Sequence, residues 1–164
     1  MKLPDLVIYG GTVLTMNEQL EIFEEGYVVV EKGLIKEVGS KKKVPNAKKK
    51  IDAKRSLILP GLVNGHTHLG MTLLRGVADD IPLYPWLHEH IFPLERKYGT
   101  KDFVYLGTLL AALEMIRGGT TLFNDMYYFE EHAARAVEES GLTGICGQTI
   151  VDISGVEPSS QILD

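Results

Sequence analysis

The sequence has a single cysteine, Cys146, among its 164 residues. One cysteine cannot form an intramolecular disulfide, and it excludes the paired cysteines of a zinc finger. The sequence also has no apolar run near the roughly 20 residues that span a bilayer. Its first residues lack the basic segment and apolar stretch of a signal peptide. These absences predict a soluble cytoplasmic protein with no membrane partner.

Charge is unevenly distributed along the chain, whose formal net charge is −5. Residues 1–58 carry a net charge of +3, mostly from lysines 41–43 and 48–50, whereas residues 59–164 carry −8. No aromatic residue interleaves these lysines, although stacking aromatics are typical of surfaces that bind single-stranded nucleic acid. The acidic second half also argues against a surface for a phosphate backbone. We therefore expect a solvated lysine loop and no nucleic-acid partner.

Residues 1–58 have the pattern of a small antiparallel β unit. Residues 6–15 are rich in β-forming side chains but are interrupted by Gly10-Gly11, which predicts two short strands or one bent strand. Further short strands are expected at 50–53 and 56–59.

A β-hairpin is predicted within this unit. Residues 27–31 and 34–38 are rich in β-branched side chains and flank Lys32-Gly33. A glycine at this place supplies the positive φ that a tight hairpin turn demands.

From residue 60 onward, strand and helix patterns alternate. Apolar strands are predicted at 62–68, 120–126 and 142–151, with a helix between each pair. This order is typical of parallel βα units, with which both a doubly wound sheet and a (β/α)8 barrel begin. No glycine-rich phosphate fingerprint follows any strand, which disfavours a dinucleotide-binding fold. A closed barrel needs about 250 residues, so this chain would supply three of its strands.

The first of these helices is expected to begin at Thr100 as its N-cap and to end at Gly118-Gly119. Its large apolar residues keep helical spacing: Phe103, Leu106, Leu109, Leu110, Leu113 and Ile116. The next helix, 130–140, is expected to place three small or branched residues on one face: Ala133, Ala134 and Val137.

His66 and His68 are the strongest candidates for chemistry. Alternate residues of a strand point to the same face, so the two imidazoles would converge at a separation of about 6–7 Å along the strand. Such a pair suits two ligands of one metal ion. It also follows an apolar strand, where parallel α/β folds place their active sites. The residues alone leave open whether these histidines bind a metal or are merely exposed or satisfied.

The sequence PGLVNGHTH at residues 60–68 resembles the metal-binding first strand of the amidohydrolase superfamily. The continuation LGMTLLRG at 69–76 is similar to one branch of it, as are WL…PLE within 86–95 and GGTT…DM within 118–126. That branch holds methylthioadenosine/S-adenosylhomocysteine deaminases and triazine chlorohydrolases. The resemblance covers nearly the whole chain, including the β unit.

The resemblance implies an α/β fold in which residues 59–164 form the first three βα units of a (β/α)8 TIM-type barrel. Residues 1–58 would form the preceding part of a small β-sandwich. It also implies one divalent metal ion, usually zinc and in some members iron, with His66 and His68 as two ligands. The remaining ligands and the proton-shuttling residues of the family lie on later strands. We therefore place no catalytic residue in this chain and interpret it as an amino-terminal fragment.

Glu95 is expected to bind substrate. In the nucleoside-deaminating members that the chain resembles, the matching glutamate grips the ribose hydroxyls, and a carboxylate can accept two such hydrogen bonds. The alternative is an exposed acid near the start of a helix. Gln148 stands near a position where those deaminases commonly have an arginine, which argues against a preference for S-adenosylhomocysteine. The remaining residues of interest are expected to be structural or peripheral: His88, His90, Asp125, His132 and Cys146.

These features predict a metal-dependent hydrolytic deaminase of adenine-type nucleosides, with an amino-heterocycle or nucleoside as its small-molecule substrate. One alternative is a related amidohydrolase that cleaves C–N or C–Cl bonds of guanine, cytosine or a chlorotriazine. Another is an inactive fragment with only a binding or assembly role. Homo-oligomerisation also stays open, because an unpaired strand edge at 144–151 and uncovered apolar helix faces would favour association.

Overall fold

The computed structural model of the chain describes residues 2–40 and 44–150. The predicted loop at lysines 41–43 and residue 151, at the end of the last predicted strand, lie outside the described residues. Within the described part of the chain, no helix combines the length and the apolar character that a membrane span requires.

The chain folds into two compact units, Met1–Pro60 and Gly61–Asp164. The strands of the first unit are β1 (Leu6–Tyr9), β2 (Thr12–Leu14), β3 (Ile22–Phe23), β4 (Gly26–Glu31), β5 (Leu34–Ser40), β6 (Lys49–Asp52) and β7 (Leu57–Ile58). They form two small sheets, ordered β5-β4-β1-β6 and β3-β2-β7. The first sheet buries a core cluster of Val7, Tyr27 and Val29.

The prediction of a purely antiparallel β unit is wrong for two strand pairs. β1 pairs with β6 in parallel, and β2 pairs with β7 in parallel. The reason is that residues 6–14 and residues 49–58 run side by side in the same direction. Each of these two segments passes from the first sheet into the second. Gly11 lies at this crossing, where a Cβ atom would come within 2.6 Å of the carbonyl oxygens of Ala53 and Ser56. The Gly-Gly break therefore separates two strands in different sheets.

The predicted hairpin is confirmed by β4 and β5, which pair in antiparallel fashion. Lys32 and Gly33 form its turn with φ values of 54° and 78°. Two successive positive φ values match the right-handed twist of the flanking strands.

Between residues 61 and 150, the second unit contains three parallel strands, β8 (Leu62–Thr67), β9 (Thr120–Tyr127) and β10 (Thr143–Gln148). Their order in the sheet is β10-β9-β8, so the predicted parallel βα arrangement is confirmed. The helical segments are a 3₁₀ helix (Leu69–Leu74), α1 (Leu83–Pro85), a π-helical turn (Trp86–Ile91), α2 (Phe92–Tyr98), α3 (Lys101–Gly118) and α4 (Glu130–Ser140).

Helix α3 begins and ends where the sequence predicts. The Thr100 hydroxyl oxygen accepts a hydrogen bond from the Phe103 amide, and Gly119 ends the helix with a left-handed φ of 86°. The large apolar residues nevertheless do not form its buried face, because Leu106 and Leu113 are 56% and 54% exposed. The buried residues of α3 are mostly small: Val104, Gly107, Thr108, Ala111 and Ala112.

Close backbone packing explains this choice of face. The 3₁₀ helix lies against α3, and a Cβ atom at Gly107 would stand 2.4 Å from the Gly70 carbonyl oxygen. Only a residue without a side chain allows the two backbones to approach so closely. The leucines of α3 therefore point away from this contact.

The expectation for α4 is right for Ala133 and Val137 and wrong for Ala134. Ala133, Ala136 and Val137 are buried, whereas Ala134 is exposed. Positions i, i+3 and i+4 share one face of a helix, and residue i+1 points elsewhere.

The close contact at Gly107 predicts that two alanine substitutions in α3 change the free energy of unfolding differently. Gly107→Ala should lower the free energy of unfolding by about 1–3 kcal/mol, because the added methyl overpacks a close backbone contact. Gly118→Ala meets nothing within 4 Å and should leave stability unchanged or raise it by up to about 1 kcal/mol. Urea denaturation followed by circular dichroism measures both. Equal stabilities for the two variants would contradict the close packing.

Candidate functional site

The carboxyl ends of β8 and β9 lie side by side and carry the polar residues of the second unit. In their parallel pairing, Thr67 stands opposite Asp125. His68 follows β8 directly, and Met126 and Tyr127 complete β9. The histidine pair and the end of β9 therefore meet at one edge of the sheet.

The pairing of β8 and β9 is irregular between Asn64 and Thr67, the stretch that contains His66. Two asparagines bond to the backbone there. The Asn64 side-chain oxygen accepts a hydrogen bond from the His66 amide at 3.3 Å. The Asn124 side-chain amide donates to the Gly65 carbonyl oxygen at 3.3 Å. These side-chain bonds hold His66 where regular pairing between the strands is interrupted.

The two imidazoles lie next to each other, as their spacing predicts. Their ring centroids are 4.9 Å apart, and the ring planes meet at 79°. His66 is exposed and His68 is half-buried.

A hydrogen bond sets the orientation of the His68 ring. Its Nδ1 lies 2.6 Å from the Met126 carbonyl oxygen. Because a carbonyl oxygen can only accept, Nδ1 carries the hydrogen and donates it. In the neutral ring, Nε2 then keeps a free lone pair, which is the form that binds metal ions.

This arrangement fits two ligands of a metal ion. Neutral imidazole nitrogen is a common ligand of zinc, and the two rings are adjacent. Among the residues that the structure describes, no group of three or more histidine, cysteine, aspartate or glutamate side chains is arranged to hold a metal. The described residues thus offer part of a coordination sphere and not a closed structural site.

Glu95 joins this region through Tyr127. Its Oε1 accepts a hydrogen bond from the Tyr127 hydroxyl at 2.5 Å. Burial raises the pKa of the Glu95 carboxyl, while the Tyr127 hydroxyl and the nearby His68 act in the opposite direction. The half-buried Glu95 on α2 therefore lies in the same neighbourhood as the histidine pair.

Two acidic residues near this sheet edge are buried, and the sequence did not predict their burial. Asp125 is 1% exposed and Glu130 is 4% exposed. The Asp125 Oδ1 accepts a hydrogen bond from the Leu69 amide at 3.0 Å. Burial, and then the neighbouring Asp125 charge, raise the pKa of Glu130 to about 8. Asp125 among the apolar residues of β9 was a signal available in the sequence. Glu130 gave no such signal, because it stands beside Glu131 at the start of a polar helix.

Cys146 and Gln148 of β10 lie beside Glu130. Burial, followed by the charges of Glu130 and Asp125, raises the pKa of the Cys146 thiol to about 11. The half-buried thiol also packs against the core cluster of Phe123, which agrees with the structural role expected for it. The Gln148 Oε1 accepts a hydrogen bond from the Glu130 amide at 3.1 Å, and its Nε2 donates to the Thr149 carbonyl oxygen at 3.1 Å.

The other histidines have different surroundings. The His88 ring lies 4.1 Å from the Tyr84 ring and 5.1 Å from the Phe92 ring, measured between centroids. His132 lies 3.3 Å from a Glu131 carboxylate oxygen. Within the described residues, the structure does not group them with His66 and His68 as metal donors.

The sequence matches the model of the Amidohydrolase family over residues 57–162. A 5'-deoxyadenosine deaminase of Methanosarcina mazei is 48% identical over 149 residues, which cover 91% of this chain and 34% of that protein. A 5-methylthioadenosine/S-adenosylhomocysteine deaminase of Syntrophobacter fumaroxidans is 44% identical over 151 residues, covering 90% of this chain and 34% of that protein. The chain thus spans about a third of the length of these curated relatives.

The chain is also similar to solved structures. The adenosine deaminase from Xanthomonas campestris with bound zinc matches with a TM-score of 0.87 and 37% identity, covering 93% of this chain and 35% of that one. An atrazine chlorohydrolase from Arthrobacter aurescens TC1 has a TM-score of 0.81 at 20% identity, covering 96% of this chain and 39% of that one. The second similarity concerns the fold alone. Together, these similarities confirm the resemblance that the sequence predicted.

The raised pKa of Glu130 predicts how stability changes with pH. The folded state holds this proton up to a pH of about 8, whereas an unfolded glutamate loses it near its ordinary pKa of about 4.3. Glu130 therefore makes the free energy of unfolding fall as pH rises between these values. Glu130→Gln should remove this part of the decline, whereas Glu138→Gln, at an exposed site on the same helix, should retain it. Urea unfolding across this range measures the effect, and parallel profiles for wild type and Glu130→Gln would contradict it.

Proposed function

Because the chain belongs to the amidohydrolase family, we propose that it carries part of the active site of a metal-dependent deaminase of adenine-type nucleosides. The observation that carries this proposal is the adjacent imidazole pair at the carboxyl ends of parallel strands, with His68 oriented by Met126. Active sites of parallel α/β barrels lie at this end of the strands. The full reaction is proposed for the whole protein that contains these residues.

The proposed architecture is the start of a (β/α)8 barrel over residues 59–164, preceded by part of a β-sandwich over residues 1–58. The parallel order of β8, β9 and β10, with α3 and α4 between them in the chain, supports the barrel. The similarity to the zinc-containing adenosine deaminase supports the same assignment.

His66 and His68 would hold a divalent metal ion, and the zinc in the similar structures favours zinc over iron. An ion held there would lower the pKa of water toward neutrality and so would supply a hydroxide nucleophile for the amino-bearing ring carbon. His68 contributes the nitrogen that the Met126 hydrogen bond leaves with a lone pair. With two donors among the described residues, complete coordination needs donors from elsewhere.

Glu95 is proposed to bind the ribose hydroxyls. Its half-buried carboxylate lies close to the histidine pair, and Tyr127 restricts its position through a hydrogen bond. Hydrogen bonds to a partly buried carboxylate are stronger than those to neutral acceptors. A nucleoside would therefore gain affinity from Glu95 that a free base lacks.

Gln148 favours substrates with a neutral 5' group. Its amide is neutral and is engaged by the backbone of Glu130 and Thr149, so it presents no positive charge to a substrate carboxylate. This feature agrees with a 5'-deoxyadenosine or methylthioadenosine type of substrate better than with S-adenosylhomocysteine. The chlorotriazine alternative has less support, since the triazine relative shares the fold at only 20% identity.

Metal removal tests the proposal directly. The full-length protein should release ammonia from 5'-deoxyadenosine, and a chelator should abolish the release until zinc is restored. His66→Ala and His68→Ala should each lower both zinc affinity and activity, because each removes a ligand. His132→Ala is the matched control and should change neither. Ammonia release that survives complete metal removal, or no release from any adenine nucleoside, would contradict the proposal.

Substitution of Glu95 tests the substrate role separately. Glu95→Ala should lower kcat/KM for adenosine-type nucleosides by about 10- to 100-fold, since hydrogen bonds to a charged group contribute about 1.5–3 kcal/mol. Free adenine, which has no ribose, should be affected much less. Glu89→Ala, an exposed acid in the preceding π-helical turn, serves as the control. Equal losses for nucleoside and base would remove the ribose-binding role.

A further inference from the structure

Asp125 is buried beside the histidine pair without belonging to it. It lies in β9 between Phe123, which is 1% exposed, and Met126, which bonds to His68. In register, it stands opposite Thr67 of β8 and Cys146 of β10. A carboxylate at the centre of a sheet is costly unless it makes a specific bond.

That bond is made to the residue after His68. The Asp125 Oδ1 accepts a hydrogen bond from the Leu69 amide at 3.0 Å, in a buried environment. Leu69 is the first residue of the 3₁₀ helix, and His68 precedes it without a side-chain capping bond. The first amides of a helix have no partner within the helix. Asp125 therefore caps this helix from the neighbouring strand and fixes the chain where it leaves β8.

The His68–Leu69 segment is consequently held at two points by successive residues of β9. The Asp125 side chain binds the Leu69 amide, and the Met126 carbonyl oxygen accepts the His68 Nδ1 hydrogen. The first contact holds the backbone of the segment, and the second sets the rotation of the ring. The first contact thus limits how far the backbone can carry the His68 ring away from the Met126 carbonyl oxygen.

We propose that Asp125 is a positioning residue for the metal site, which keeps the His68 imidazole on the Met126 carbonyl with Nε2 free to bind the ion. The metal-binding step rests on the proposed function, whereas the orientation of the ring does not. Residues that orient metal ligands typically change metal affinity 10- to 100-fold when they are replaced.

Three variants of Asp125 and one control variant in the neighbouring core separate this role from general support of the fold. Asp125→Asn keeps an oxygen that can accept from the Leu69 amide but removes the charge. Asp125→Ala removes the acceptor, and Asp125→Leu removes it while filling the space, in case the alanine variant does not fold. Val137→Ala weakens the core cluster that contains Leu69 and Phe123 without touching the hydrogen bond.

Two measurements on the whole chain give independent results. Long-range proton–nitrogen NMR spectra of the metal-free protein, under mildly alkaline conditions, report which His68 nitrogen carries the hydrogen. Isothermal titration with zinc reports metal affinity. We expect the Nδ1–H form in the wild type, Asp125→Asn and Val137→Ala. Asp125→Ala and Asp125→Leu should show a mixture with the Nε2–H form and a zinc affinity about 10- to 100-fold weaker.

The proposal is overturned if both acceptor-free variants keep the wild-type tautomer and affinity, or if Val137→Ala loses as much of each as they do. Loss of the Nδ1–H form in Asp125→Asn would also overturn it, because the charge and not the acceptor would then matter. If the wild type binds no zinc but the tautomer still changes in the acceptor-free variants, the metal function fails while the positioning role of Asp125 stands.

Discussion

The parallel register of β8 and β9, with Thr67 opposite Asp125, decides which residues meet at the candidate site. The histidines follow the apolar part of β8, and Asp125, Met126 and Tyr127 end β9. A shift of one residue would turn the Asp125 side chain to the other face of the sheet. The hydrogen bonds to Leu69, His68 and Glu95 all start from these β9 residues, so one strand end organises the backbone, the imidazole and the carboxylate of the site.

This organisation places two acidic side chains at buried positions, where they lower the stability of the fold. Burial raises the pKa of both Asp125 and Glu130, which means that their ionised forms are disfavoured in the folded state. Gly107 lets the 3₁₀ helix that Asp125 caps pack closely against α3. A residue that lowers stability yet bonds next to a proposed metal ligand is typical of functional sites.

Much of the fold could be predicted from the sequence, because short local patterns determine many of its strands, turns and helix ends. The Lys32-Gly33 turn, the Thr100 cap and the alternation of strands and helices have signals within a few residues. The parallel pairing of β1 with β6 and the small-residue face of α3 have no such signal, since they depend on which distant segments pack together. The histidine pair was visible from its spacing and family motif. The roles of Met126, Tyr127 and Glu130 required the register of three strands.

The end of β9 is inferred to orient His68 so that its Nε2 is free to bind a metal ion. A crystal structure of the zinc-loaded protein, with the ion located by anomalous scattering at the zinc edge, tests it most directly. We expect zinc bonded to an imidazole nitrogen of His66 and to Nε2 of His68, while Nδ1 of His68 still donates to the Met126 carbonyl. Zinc bound through Nδ1 of His68, or bound at a place that involves neither histidine, would contradict it.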